Sequence, residues 1–262
     1  AVALLAAVNG GAASVADGKL KAGIEKAAAD LKAHNGAALV VSSSNDKNVQ
    51  VIVNAINNAI GAYGTTINWN QAVNYRQGID SDMADLIAQM EAGAVGTLMI
   101  HGANPAYSHY DAEKFKAALK KVKVTVSFGE KMDETTELCE FIIPNHHYLE
   151  SWGDAEPKAG ITSFLQPTIY PLFKTRPFQT SLLKWSLPAG QAGGSTQYYE
   201  TYFREYWTAK LGADGFNKAL QDGIVETTSA TGAGSYNGGA VDAATTAIAS
   251  YKKGTGLEVV FY

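Results

Sequence analysis

The sequence predicts an α/β fold: an open, doubly wound parallel sheet with helices on both faces, then an extended aromatic- and proline-rich segment and a helical tail. Three observations carry this. Short apolar and β-branched runs near residues 38, 98, 124 and 142 are separated by helical stretches, which implies parallel pairing through right-handed crossovers. Polar residues and turn formers gather where each run ends, and that is where open parallel sheets bind ligands. Residues 96–152 show both features together, reading strand, loop, helix, strand, loop, short helix, strand.

Taken in order, residues 17–33 have helical composition, with Leu20, Ile24, Ala28 and Leu31 on one face. Residues 37–41 read as a strand that ends in the polar stretch 42–46, and a helix follows over 48–60. Residues 83–92 form another helix, with Ser81 or Asp82 as its cap. The apolar run 98–100 breaks at Gly102, and Asn104-Pro105 makes a turn. Asp111 is placed to cap a helix through Phe115 and Leu119. Residues 122–128 alternate as a strand, and a further strand over 141–143 stops at Pro144. Beyond Gly153 the pattern lapses into an extended segment. Tyr199, Tyr202, Phe203, Tyr206 and Leu211 then recur near helical spacing, and 227–239 is a low-complexity loop. The expected organisation is an α/β domain over residues 1–150, an extended docking segment over 151–190, and a helical and low-complexity continuation over 191–262.

Composition narrows the classes. A chain of 262 residues can bury one large core or two modest ones. Hydrophobic residues at 46% and charged residues at 18% fit a globular protein. A net charge of −4 offers no basic footprint for nucleic acid. No run approaches the roughly 18 apolar residues that span a bilayer, so any membrane association is expected through partners. The single cysteine, Cys139, excludes an intrachain disulfide or a cluster held by several cysteines of this chain. Beside a strand it reads as a small buried hydrophobe. The apolar residues 1–8 lack the basic flank of a signal peptide and read as a helix or linker. Both ends suggest an internal section of a larger subunit.

Several constellations invite chemistry. The 42–46 loop lies between a strand and a helix, where backbone N–H groups favour phosphate, but Asp46 opposes an anion and suits a helix cap better. His101 and His109 flank the Asn-Pro loop. His146 and His147 are adjacent on an extended stretch and point apart, and no compact ligand set completes a metal site. Asp133, Glu134, Glu137 and Glu140 read as a solvated face around a short helix, with Glu134 as its cap. No nucleophile elbow is present. Phe164, Tyr170, Phe173, Phe178 and Trp185, interleaved with Pro167, Pro171 and Pro177, read as a strap that docks on another domain or subunit.

The ordered set Gly102-Ala103-Asn104-Pro105, Asp133-Glu134-Thr135-Thr136-Glu137, Ile142-Ile143-Pro144 and Tyr148-Leu149-Glu150-Ser151-Trp152-Gly153 resembles the molybdopterin oxidoreductases related to dimethyl sulfoxide reductase. Residues 54–69 are similar to that superfamily's helix and glycine-rich connection, and the likeness covers roughly residues 37–185. Where catalytic members carry Asn-x-Glu-Gly-Arg, this chain has Asp154-Ala155-Glu156-Pro157-Lys158. The block 163–185 resembles the molybdopterin-like iron–sulfur subunit of bacterial alternative complex III, a quinol:electron acceptor oxidoreductase. That resemblance implies a cofactor-free scaffold with no catalytic residues in this chain. Gly102, Asn104, Pro105, Glu134 and Thr135 would be a vestigial nucleotide loop. It also implies iron–sulfur clusters elsewhere in the parent subunit and haem c in partner subunits. The implied partners are a multihaem cytochrome c and an integral membrane quinol-binding subunit, on the periplasmic side of the inner membrane. The rival implication is a piece of a genuine molybdenum-cofactor oxidoreductase, of the polysulfide reductase type.

Overall fold

A computed structural model describes residues 1–74, 77–187, 198–228, 234–252 and 254–259. It divides into two compact units, Ala1–Ala72 with the described part of residues 229–262, and Val73–Thr228.

The first unit is helical. Helix α1 spans Val2–Val8, α2 Gly18–Ala33 and α3 Lys47–Ala59, and a late helix covers Val241–Ser250. Asp17 starts α2 by accepting the Lys19 and Leu20 amides at 2.8 and 3.0 Å, and Asp46 does the same for α3 through Asn48 at 2.7 Å. Ile52, Ile56 and Ile60 recur at every fourth residue and so share one face. That face packs on Leu5, Val8, Ala28 and Ala244. The expected inward face of α2 is only partly inward: Ala28 is buried, whereas Leu20, in the first turn, is exposed.

The strand expected over residues 37–41 joins no sheet. Asn57 of α3 holds it instead. The Val40 N–H donates to Asn57 Oδ1 and Asn57 Nδ2 donates to the Val40 carbonyl, both at 2.8 Å. The side-chain amide satisfies the groups that a neighbouring strand would otherwise satisfy.

The second unit carries the parallel sheet. Its elements begin with α4 (Asp80–Glu91), β1 (Thr97–Ile100), α5 (Pro105–Ser108), α6 (Ala112–Leu119), β2 (Val124–Ser127) and β3 (Phe141–Ile142). The order is β1-β2-β3, all parallel, with Thr97 opposite Val124 and Val126 opposite Phe141. The flanking helices bury Ile87, Met90, Phe115, Ala118 and Leu119 with Ile100 of β1. Asp111 caps α6 through the Lys114 amide at 3.1 Å. Neither Ser81 nor Asp82 caps α4. Both lie within its first turn, and Ile79 stands at the cap without a side-chain bond.

Residues 153–165, expected to open the extended segment, pair as strands. They form a hairpin, β4 (Gly153–Lys158) and β5 (Ile161–Leu165), to which β6 (Ile224–Glu226) adds on the β5 side, all antiparallel. Pro157 hides the strand from a sequence reading. It sits where the β4–β5 register shifts, an irregularity that tolerates proline. Two helices complete the unit, α7 (Phe178–Ser186) and α8 (Tyr198–Asp222). Gly212 breaks α8 with φ 73° and ψ 166°, a backbone state suited to glycine. Phe203, Trp207 and Phe216 of α8 bury themselves against Trp152 and Phe164. Phe164 meets Trp207 edge-on at 4.8 Å, and Trp207 Nε1 donates to Asp154 at 2.7 Å.

Residues 188–197, 229–233, 253 and 260–262 of the expected elements lie outside the described residues. Among the described residues no helix is long and apolar enough to cross a membrane.

Candidate functional site

Strand β1 ends at Ile100, and the chain turns at Gly102 with φ 65°. Asn104 follows, and Pro105 opens α5, where its missing N–H is least harmful. The Asn104 side chain reaches across to the loop after β2. Its Nδ2 donates to Glu134 Oε2 at 2.7 Å, and its Oδ1 accepts from Thr135 Oγ1 at 2.7 Å. The same Thr135 hydroxyl accepts the Ala106 N–H at 2.9 Å. Asn104, Pro105, Glu134 and Thr135 therefore meet in one place, with Gly102 supplying the turn that brings the first two there.

A second knot lies beside it. Ser127 Oγ, at the end of β2, is 2.8 Å from Thr136 Oγ1 and accepts the Gly129 N–H at 3.0 Å. A Cβ on Gly129 would come within 2.6 Å of Thr136 Oγ1, so the loop closes this tightly only with glycine. Thr135, not Glu134, stands at the cap of the short turn Thr136–Leu138, without a side-chain cap bond, and Asp133 accepts the Thr136 N–H at 2.7 Å. Glu134 is left to Asn104, and that bond, helped by its own backbone N–H, holds its carboxyl below the usual range.

Over these loops lies a cleft of about 590 Å³. It sits at the carboxyl ends of β1 and β2, where open parallel sheets place ligands. His101 stacks on Phe178 of α7 at 3.8 Å, and this shielding from water draws its imidazole below the usual range, with Glu130 opposing. The charged lining is Glu130, Asp133 and Asp154 against Lys131. Three carboxylates facing one ammonium give a diphosphate no net attraction. The start of α5 offers none either: Pro105 has no N–H, and those of Ala106, Tyr107 and Ser108 already bond Thr135 Oγ1 and the Asn104 carbonyl. The cleft has the position of a nucleotide site, but its residues do not suit the diphosphate of a pterin dinucleotide.

The other candidates lie apart from this knot or serve locally. His109 Nδ1 accepts the Asp111 N–H at 3.1 Å. His147 and Glu150 form a reciprocal cap around Tyr148–Glu150. Among the described residues no group of three or more His, Cys, Asp or Glu side chains could hold a metal ion. The Ser42 to Asp46 loop bonds to itself and to Gln50. Cys139 belongs to the core of the parallel sheet, its thiol donates to the Thr135 carbonyl at 3.4 Å, and burial pushes its pKa up. Nothing in the sequence singles out Ser127 or Gly129, and Thr136 and Phe178 are marked there only as part of a motif and of an aromatic tract. Their residue types are common, and only the β1–β2 register and the placing of α7 bring them there.

No protein-family model matches the chain. It is similar to the molybdopterin-binding-like subunit of a menaquinone reductase from Nitratidesulfovibrio vulgaris. The two are 32% identical over 158 residues, which is 56% of this chain and 21% of the relative. The chain thus spans about a fifth of the length of the curated relative it matches. The similarity supports a molybdopterin-oxidoreductase-like relationship.

Proposed function

We propose that this chain is the cofactor-free, molybdopterin-like part of an iron–sulfur subunit in a membrane-bound quinol:electron acceptor oxidoreductase of the alternative complex III type. Its work is to scaffold. It sits on the periplasmic side of the inner membrane and seats a multihaem cytochrome c and a quinol-binding membrane subunit. Iron–sulfur clusters lie elsewhere in the parent subunit.

The observation that carries the reading is the closed Asn104–Glu134–Thr135 knot. A loop that would read the base or ribose of a nucleotide instead uses its amide and carboxylate to join two strand-end loops. The charge of the cleft and the occupied N–H groups of α5 point the same way. The relative's name, a menaquinone reductase subunit that is only molybdopterin-binding-like, supports an electron-transfer setting.

Molybdenum, tungsten and iron content of the purified native complex tests the proposal. Abundant iron without molybdenum or tungsten is expected. Near-stoichiometric molybdenum or tungsten would overturn it in favour of a catalytic molybdenum subunit, a reading for which the open cleft of about 590 Å³ is the supporting feature.

A further inference from the structure

Residues 157–199 contain no aspartate or glutamate, although the chain as a whole carries 25 acids against 21 lysines and arginines. The charges of this stretch are all positive: Lys158, Lys174, Arg176 and Lys184. In its middle lies the segment that links β5 to α7, which borders a second cavity of about 620 Å³. Tyr170, Leu172 and Phe173 of that segment are 91, 73 and 78% exposed, and Lys174 beside them is exposed as well. Two hydrogen bonds fix the base of this tip. The Thr168 N–H donates to the Leu149 carbonyl at 2.8 Å, and the Leu172 N–H to Glu150 Oε1 at 3.0 Å. Pro167, Pro171 and Pro177 stiffen the chain on either side.

The two acids on the wall of that cavity are already engaged. Glu150 is buried and accepts the His147 N–H at 3.1 Å as well as that of Leu172. Glu200 pairs with Arg204 at 2.9 Å. Large apolar side chains held out in water mark a contact surface, and the charges decide what it meets. Packing on the chain's own core gives no reason to exclude acids while keeping four bases. An anionic bilayer surface does. Aromatic and aliphatic side chains enter its headgroup region, lysine and arginine meet its phosphates, and a carboxylate would be repelled. The tip follows that order, with Tyr170, Leu172 and Phe173 outermost and a lysine directly after them.

We propose that this tip, residues 170–173, inserts into the surface of an anionic lipid bilayer, with Lys174 at the level of the phosphate groups. The inference rests on the membrane-bound setting proposed above and adds a lipid contact made by this chain itself.

The test places a benzophenone amino acid at Phe173 of the complex in its native membrane and irradiates it. A phospholipid adduct on the peptide that contains residue 173 is expected by mass spectrometry. An adduct to another polypeptide, an adduct to the protein's own chain, or no adduct at all would each overturn the proposal. A second measurement separates the two forces, by co-sedimenting the purified chain with vesicles of phosphatidylcholine, alone or mixed with phosphatidylglycerol. Phe173→Ser should weaken binding to the mixed vesicles about tenfold. Lys174→Gln should weaken it about fivefold and leave binding to the neutral vesicles unchanged. Both side chains are exposed, so both variants should melt with the parent. A chain that ignores both kinds of vesicle, or a Phe173→Ser variant that binds as the parent does, would sink the insertion. Metal content reads none of these outcomes, so this proposal and the cofactor-free reading can fail separately.

Discussion

Around the parallel sheet, Asn104, Thr135, Ser127 and Thr136 bond to one another and to nearby backbone. Beside the antiparallel sheet, Ser151, Thr175 and Thr180 carry the same kinds of group and leave them unmatched. Both regions border a cavity of similar size. At the strand ends of the parallel sheet the polar groups answer each other; of the unmatched residues, Thr175 and Thr180 border the second cavity, and His146 and Ser151 border both. Position in a fold and readiness for a ligand are therefore separate properties, and the second is read from hydrogen bonds.

The largest effect that would sharpen this contrast lies in the cores. Phe115→Ala should lower stability by about 3–5 kcal/mol in denaturant titration, and Phe203→Ala by a similar amount. Only Phe115→Ala should open Cys139 to a thiol reagent, because Phe115 and Cys139 share one core and Phe203 belongs to another. Equal labelling in both variants would show that the two regions melt as one.

Thr135→Val should cost about 1–3 kcal/mol, since it strands the buried Ala106 N–H and removes the donor to Asn104. Thr180→Val, the matching change in the other region, should lose no stability. If the two variants behave alike, the distinction drawn above is broken. Trp207→Phe removes the bond to Asp154 and keeps the ring in its aromatic cluster. A loss of about 1–2 kcal/mol is expected, with the antiparallel sheet still protected in amide exchange.

The smallest effect is a pH dependence. The Glu134 carboxyl is held below its usual range by Asn104. What it adds to stability is fully present above the ordinary glutamate value of about 4.3 and is lost only as pH falls through the lower folded value. In an NMR titration the Asn104 side-chain amide should keep its shift while exposed glutamates protonate, then move in more acid solution. Asn104→Ala should raise Glu134 towards the ordinary range, with its own backbone N–H still holding it down.

The parallel sheet is legible in the sequence where strands are apolar and end at turn formers. β2 and β3 lie within runs that their sequence marks, and β1 begins one residue before its run. The Asn104–Thr135 pairing is legible only as two motifs, since residues 31 apart in sequence meet through the β1–β2 register. The antiparallel hairpin is not legible. Pro157 interrupts its alternation and β6 arrives from beyond residue 220. Residues 37–41 fail in the opposite sense. Their composition is that of a strand, but composition reports an extended backbone and not the neighbour that holds it.

That neighbour, Asn57, also bears on how the chain folds. The clamp on Val40 closes over 17 residues, and closure of even shorter loops takes about 10–100 ns. Pairing of β1 with β2 must wait for a longer excursion of the chain, from Thr97 to Val124, and is slower for it. An extended segment fastened by a helix side chain can thus be fixed early, on the timescale of α3 itself. The first unit, helical and without a sheet of its own among the described residues, is the part of this protein expected to order first.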